Sequence, residues 1–265
     1  MKQTTALEIL KAGHNVFLTG SAGTGKTYLL NQYIDYLKER NMALAITAPT
    51  GIAASHINGM TIHSFFGIGI RESVDDWFLD SLVQKEFLHK RINKLKVLII
   101  DEISMVSPDL FHSIDKILRA FKYSDKPFGG LQLVLSGDFF QLPPISSHGN
   151  SSRFAWQAEA WKNAELKSCY LTEKFRQSDQ SLINILDEIR SGDVSEESMK
   201  VFRSCYKKEL KSDFKVTRLY THNKDVDRIN EEELELLKDK PKLFQSRDKG
   251  SKKNLAKIFK SSLVK

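Results

Sequence analysis

Cysteine is nearly absent. Cys169 and Cys205 are the only two in 265 residues. Their spacing excludes the known zinc patterns, and both are expected to be reduced packing residues of a cytosolic protein. No run of about 18 apolar residues occurs, which excludes a transmembrane helix and argues against a membrane partner. The N-terminus lacks the charged-then-apolar layout of a signal peptide. No internal repeat is present, and no low-complexity segment apart from a lysine-rich end. A cytosolic setting, of the bacterial cytosol or nucleoid type, is the expectation.

Positive charge is scarce outside that end. The net charge is +7, but residues 238–265 alone hold ten Lys/Arg and two Asp/Glu, a net of +8. The rest carries 30 basic and 31 acidic residues, a net of −1. Basicity therefore belongs to a tail, which either touches phosphates or is simply solvated. Hydrophobic residues make up 41% of the chain, ordinary for a protein with a real core. The length fits one large domain, or one domain plus part of another.

Short apolar runs at 16–19, 43–47, 96–100, 131–135, 169–171 and 219–220 read as strands. Between them, residues 24–40, 74–93, 108–120, 154–164, 182–189 and 224–237 read as helices, and 61–66 as a helical turn. Strands alternating with helices predict an α/β fold of the P-loop NTPase, RecA-like kind: a mainly parallel sheet covered on both faces.

Gly20-Ser21-Ala22-Gly23-Thr24-Gly25-Lys26-Thr27 matches G-x-x-x-x-G-K-[ST] in full, after a strand and before a helix. Such a loop turns backbone N–H groups toward phosphates at a helix N-terminus. Lys26 would reach the β- and γ-phosphates of ATP, and the Thr27 hydroxyl would bind Mg²⁺. Leu98-Ile99-Ile100-Asp101-Glu102 is a strand ending in two acids. Asp101 would hold the Mg²⁺ and Glu102 would polarise the attacking water. A carboxylate directly after the metal acid favours hydrolysis over transfer to a small-molecule acceptor. At a third strand end stands Ser136-Gly137-Asp138-Phe139-Phe140-Gln141-Leu142-Pro143-Pro144. Gln141 either senses the γ-phosphate or faces solvent in a plain proline turn.

These segments occur together with Ala48-Pro49-Thr50-Gly51-Ile52-Ala53-Ala54 and Thr61-Ile62-His63-Ser64-Phe65-Phe66-Gly67, in an order that resembles the successive motifs of the Pif-type helicases, relatives of the RecD helicases in superfamily I. Leu171-Thr172-Glu173-Lys174-Phe175-Arg176-Gln177, with Ile189-Arg190-Ser191-Gly192 after it, resembles a signature segment of that family. Leu219-Tyr220-Thr221-His222-Asn223 resembles its next landmark. The resemblance implies an ATP-driven 5′–3′ motor on single-stranded DNA that opens duplex junctions. It further implies that Gln3 reads the adenine edge, against the alternative of an ordinary exposed residue near a frayed end. Arg176 matches an arginine that approaches the γ-phosphate, its alternative being a surface salt bridge. DNA contacts would come from Pro49, Thr50, Gly51, His63 and Phe65. A Phe pair in a short helix is more often core than a stacking face.

The same likeness implies a first motor domain over 1–210, with a small wedge-type insertion near 68–95, whose Trp77, Phe78 and Phe87 would serve the wedge or bury it. From 211 onward only the opening of a second motor domain is expected, since the family's later Ser-Gln-Gly and Ser-Arg segments do not occur. The chain is therefore expected to be incomplete for unwinding, and to be monomeric. The competing reading is a non-motor module that binds DNA under control of ATP.

Overall fold

The computed structural model describes residues 1–144, 153–173, 175, 179–207, 217, 219–220, 223–237 and 242. Arg176 and nearly all of the basic tail lie outside the described residues. The chain divides into two units, Met1–Arg203 and Ser204–Lys265.

In the first unit, α1 (Gln3–Lys11) precedes β1 (Val16–Gly20), and α2 (Lys26–Glu39) leads to β2 (Leu44–Ala48). Then come α3 (Gly51–His56), the two-residue β3 (Met60–Thr61), α4 (Ile62–Phe66), α5 (Asp76–Val83) and α6 (Glu86–Ile92). β4 (Val97–Ile100) is followed by a 3₁₀ turn at Ile103–Met105 and by α7 (Pro108–Lys122). β5 (Gln132–Ser136), α8 (Glu159–Asn163), β6 (Lys167–Leu171), α9 (Gln180–Ser191) and α10 (Glu196–Cys205) complete the order. The described part of the second unit holds α11 (Asn223–Glu235). Leu219 and Tyr220, expected as a strand, are not in one.

The strands form one sheet in the order β3-β2-β4-β5-β1-β6. Every pairing in it is parallel. Side chains alternate between two cores, as a strand's period of two requires. Leu98 and Ile100 of β4 join Leu133 and Leu135 under α7. Val97 and Ile99 join Val134 and Leu18 under α2. Both faces are apolar, so these strands read as continuous runs.

α7 illustrates how local sequence sets an element. Ser107 caps it by accepting from Leu110 N at 3.2 Å, Pro108 starts it, and Phe111, Ile114, Ile117, Leu118 and Phe121 bury one face. The expected helix over 74–93 is instead two, broken between Val83 and Glu86. The insertion is anchored through Leu82, Leu88 and Ile92, which share the core with α7. Trp77 and Phe87 are exposed and do not bury it, while Phe78 packs partly against that core. Cys169, on β6 beside β1, packs in the core, but Cys205 is exposed, contrary to the expectation that both would pack.

Because the strands are parallel, their carboxyl ends lie along one edge. Gly20, Ala48, Ile100 and Ser136 are the last residues of β1, β2, β4 and β5. The chemistry-bearing segments leave the sheet from these positions.

Candidate active site

At the β1 edge the loop 20–27 is closed by its own hydrogen bonds. Lys26 Nζ donates to Gly20 O at 2.8 Å and to Ser21 O at 3.1 Å. Thr24 Oγ1 donates to Ser21 O at 2.9 Å. α2 starts at Lys26 rather than Thr24, because Gly25 is left-handed at φ 78°. That left-handed turn is what calls for glycine, and a Cβ at Gly25 would in addition displace the Gln3 amide packed against it. That amide donates to Thr24 O at 3.1 Å. Gln3 is therefore not in a frayed end but in the first turn of α1, held against the phosphate loop. Burial pushes the Lys26 ammonium below its ordinary range, and the nearby Asp138, Glu102 and Asp101 charges oppose the shift.

At the β4 edge the site is acidic. Asp101 is 6% exposed, and its N–H donates to Thr47 O at 2.9 Å. Burial raises its pKa, while the neighbouring Ser136 hydroxyl and Lys26 pull it back. Glu102 is raised as well, first by burial and then by the Asp101 charge. Its backbone is left-handed at φ 53°, ψ 44°, a strained setting for a residue with a side chain. The strain aims Glu102 into the cavity while Ile103 returns to the core. Gly137 makes this possible, since a Cβ there would lie 2.9 Å from Ile103 N.

At the β5 edge Asp138 organises a turn. It is 2% exposed. Its Oδ1 accepts from Phe140 N at 3.2 Å, and its Oδ2 from Gln141 Nε2 at 3.3 Å and Arg190 Nη1 at 2.6 Å. Burial works against its charge, but the Arg190 hydrogen bond and charge prevail and hold its carboxyl below the ordinary range. Arg190 comes from α9, and its guanidinium lies 4.3 Å from the Phe140 ring centroid.

These edges enclose a cavity of about 620 Å³ lined by Gly23, Lys26, Thr27, Asp101, Glu102 and Gln141, among others. Gln141 is exposed, yet it faces this cavity rather than bulk solvent alone. Thr27 and Asp101 bring a hydroxyl and a carboxylate, hard oxygen donors suited to Mg²⁺. Among the described residues no lysine or arginine forms an ion pair with Asp101, so its buried carboxylate suits a divalent cation.

Gly20, Ser21 and Ala22 lie at the end of β1 and in the turn that follows it. Pro49, Thr50 and Gly51 follow β2. Thr50 Oγ1 caps α3 by accepting from Ala53 N at 3.2 Å, which leaves its O–H to donate outward. His63 is half-buried on α4. Phe65 corrects the expectation of a stacking face. At 6% exposure it belongs to the core, edge-on to Phe66, with Arg91 donating to its carbonyl at 2.6 Å.

Sequence reasoning missed four residues. Phe175, 64% exposed, lines the cavity, and its N–H donates to Gly23 O at 2.9 Å. His56 and Tyr28 also line it. Phe175 and the fourth, Arg190, both stand in motif segments given above, but nothing in those segments points to the cavity or to a partner 52 positions earlier.

A family model described as PIF1-like helicase matches residues 2–200. A curated relative from Psychrobacter sp. (strain PRwf-1), "ATP-dependent DNA helicase Pif1", is 46% identical over 98% of this chain. This chain spans 41% of that relative's length. The crystal structure of Pif1 helicase from Candida albicans superposes with a TM-score of 0.82 at 33% identity, over 99% of this chain and 60% of that one. Pif1 helicase from Bacteroides in complex with ADP-AlF3 and ssDNA gives a TM-score of 0.77 at 33% identity, over 90% of this chain and 57% of that one.

Proposed function

The chain belongs to the PIF1-like helicase family, and from that premise we propose that it is the ATP-binding and hydrolysing motor domain of a 5′–3′ DNA helicase. The observation that carries this reading is the convergence of Lys26, Thr27, Asp101, Glu102 and Gln141 on one cavity at the carboxyl edge of a parallel sheet. The loop N–H groups and the α2 N-terminus bind the phosphates. Lys26 exchanges the Gly20 and Ser21 carbonyls for β- and γ-phosphate oxygens. Thr27 and Asp101 would hold Mg²⁺, which supplies neutralisation of phosphate charge. Glu102, already biased toward holding a proton, takes one from the water that attacks the γ-phosphorus, and ADP and phosphate leave.

Single-stranded DNA and duplex junctions are the proposed partners, met by Pro49, Thr50, Gly51 and His63. The Bacteroides relative solved with ADP-AlF3 and ssDNA supports both ligands. Isothermal titration with Mg²⁺ and the ATP analogue AMP-PNP tests the reading. Binding by the wild type is expected, with Lys26→Ala weaker by on the order of 100-fold through loss of charge-assisted hydrogen bonds. Absence of heat for the wild type, with oligonucleotide present, would overturn it.

A further inference from the structure

We propose that Arg190 is a positioning residue for recognition of the γ-phosphate: by neutralising Asp138 it keeps the Gln141 amide available, so that preference for ATP over ADP depends on a side chain outside the nucleotide cavity. The proposal rests on the nucleotide reading above and goes further, to how the terminal phosphate is told from its absence.

Three observations carry it. Arg190 and Gln141 donate to the same oxygen, Asp138 Oδ2, at 2.6 Å and 3.3 Å. The short bond is charge-assisted and strong; the long one is weak, and a phosphate oxygen can replace it. Asp138 is 2% exposed, so its charge must be met by protein groups. With Arg190 present, that demand is met from α9, and Gln141 contributes little. Without Arg190, the side-chain hydrogen-bond donor left to the carboxylate among the described residues is Gln141. Its amide would be drawn toward Asp138 and away from a terminal phosphate.

Arg190 also fixes the turn sterically. Its guanidinium stacks on Phe140, which lies between Asp138 and Gln141 in sequence. The Gln141 N–H donates to Asp138 O at 2.9 Å and closes the turn beneath. The planar fork of arginine suits both contacts, and lysine would supply only the charge.

Affinities for Mg²⁺·AMP-PNP and Mg²⁺·ADP, measured by isothermal titration, test this. In the wild type AMP-PNP is expected to bind more tightly. Gln141→Ala lowers the AMP-PNP/ADP preference about tenfold, the value of one hydrogen bond to a charged group. Arg190→Gln lowers it by a similar factor and leaves ADP affinity within about twofold. In the double variant Arg190→Gln/Gln141→Ala the loss does not exceed that of Gln141→Ala alone. Arg190→Lys lowers the preference about threefold, and decides the matter if Arg190→Gln fails to fold by circular dichroism.

A wild-type preference in Arg190→Lys or Arg190→Gln would overturn the proposal. So would losses that multiply in the double variant, or an equal fall in ADP affinity, which marks a merely structural role. Wild-type binding of both nucleotides without preference overturns this inference and leaves the nucleotide reading intact. Binding of neither overturns both.

Discussion

The two halves of the nucleotide cavity differ in how their polar groups are satisfied. On the β1 side the donors find partners within the loop: Lys26 on the Gly20 and Ser21 carbonyls, Thr24 on the same Ser21 carbonyl, and Gln3 on the Thr24 carbonyl. On the β4 side the acids are held against their preference. Asp101 is buried and Glu102 half-buried, both with raised pKa values, Glu102 is left-handed, and the buried Ser104 hydroxyl has no hydrogen-bond partner among the described residues. One half is a closed cradle. The other stores electrostatic and backbone strain that a ligand can relieve. Asp138, from β5, shows what relief looks like: equally buried, it carries a pKa shifted the opposite way, because Arg190 faces it.

The difference can be broken most strongly at Glu102. Glu102→Gln is expected to cut ATP turnover by about 10²- to 10⁴-fold, the usual weight of a general base. AMP-PNP affinity should stay within a few-fold, as read by titration. A comparable loss of affinity would mean that Glu102 binds rather than activates.

Asp101 gives a smaller effect of opposite sign on stability. Asp101→Asn removes a disfavoured charge and is expected to raise the melting temperature by roughly 4 °C at neutral pH, while weakening Mg²⁺-dependent nucleotide binding. The pH dependence has a definite sign. Asp101 and Glu102 titrate above their ordinary values of 3.8 and 4.5. In the window above those values these two groups hold more protons in the native state than in the unfolded chain, so their contribution to stability falls as pH rises. Asp138 behaves oppositely: its contribution is present above its ordinary value of 3.8 and is lost as pH falls through its lowered one. Melting curves from pH 5 to 8 should show the fall in the wild type and a flatter profile in Asp101→Asn.

Ser104→Ala is the finest probe. Removing an unpartnered buried hydroxyl should raise the melting temperature by about 2 °C with turnover unchanged. A decrease would show that the hydroxyl does make a stabilising contact.

Legibility in the sequence followed the range of the interaction. The phosphate loop and the acid pair were readable because each is a contiguous string with its own chemistry. The strand before Asp101 was readable because both its faces are apolar. α1 was not, since only Ala6 and Leu10 of its nine residues are buried, too few for a clear stripe. The break between α5 and α6 falls at Gln84-Lys85, without glycine or proline to announce it. Phe65 could have stacked or packed, and only its neighbours decided. The Asp138–Arg190 pair spans α8 and β6, and no local pattern encodes a contact of that kind.

Gly137 has a mechanical consequence. With the Ile103 backbone so close that a methyl group would not fit between, the strand exit bearing Gln141 and the bend bearing Glu102 are braced against each other. On the function proposed above, a push on either would be felt by its neighbour, tying detection of the terminal phosphate to placement of the attacking water.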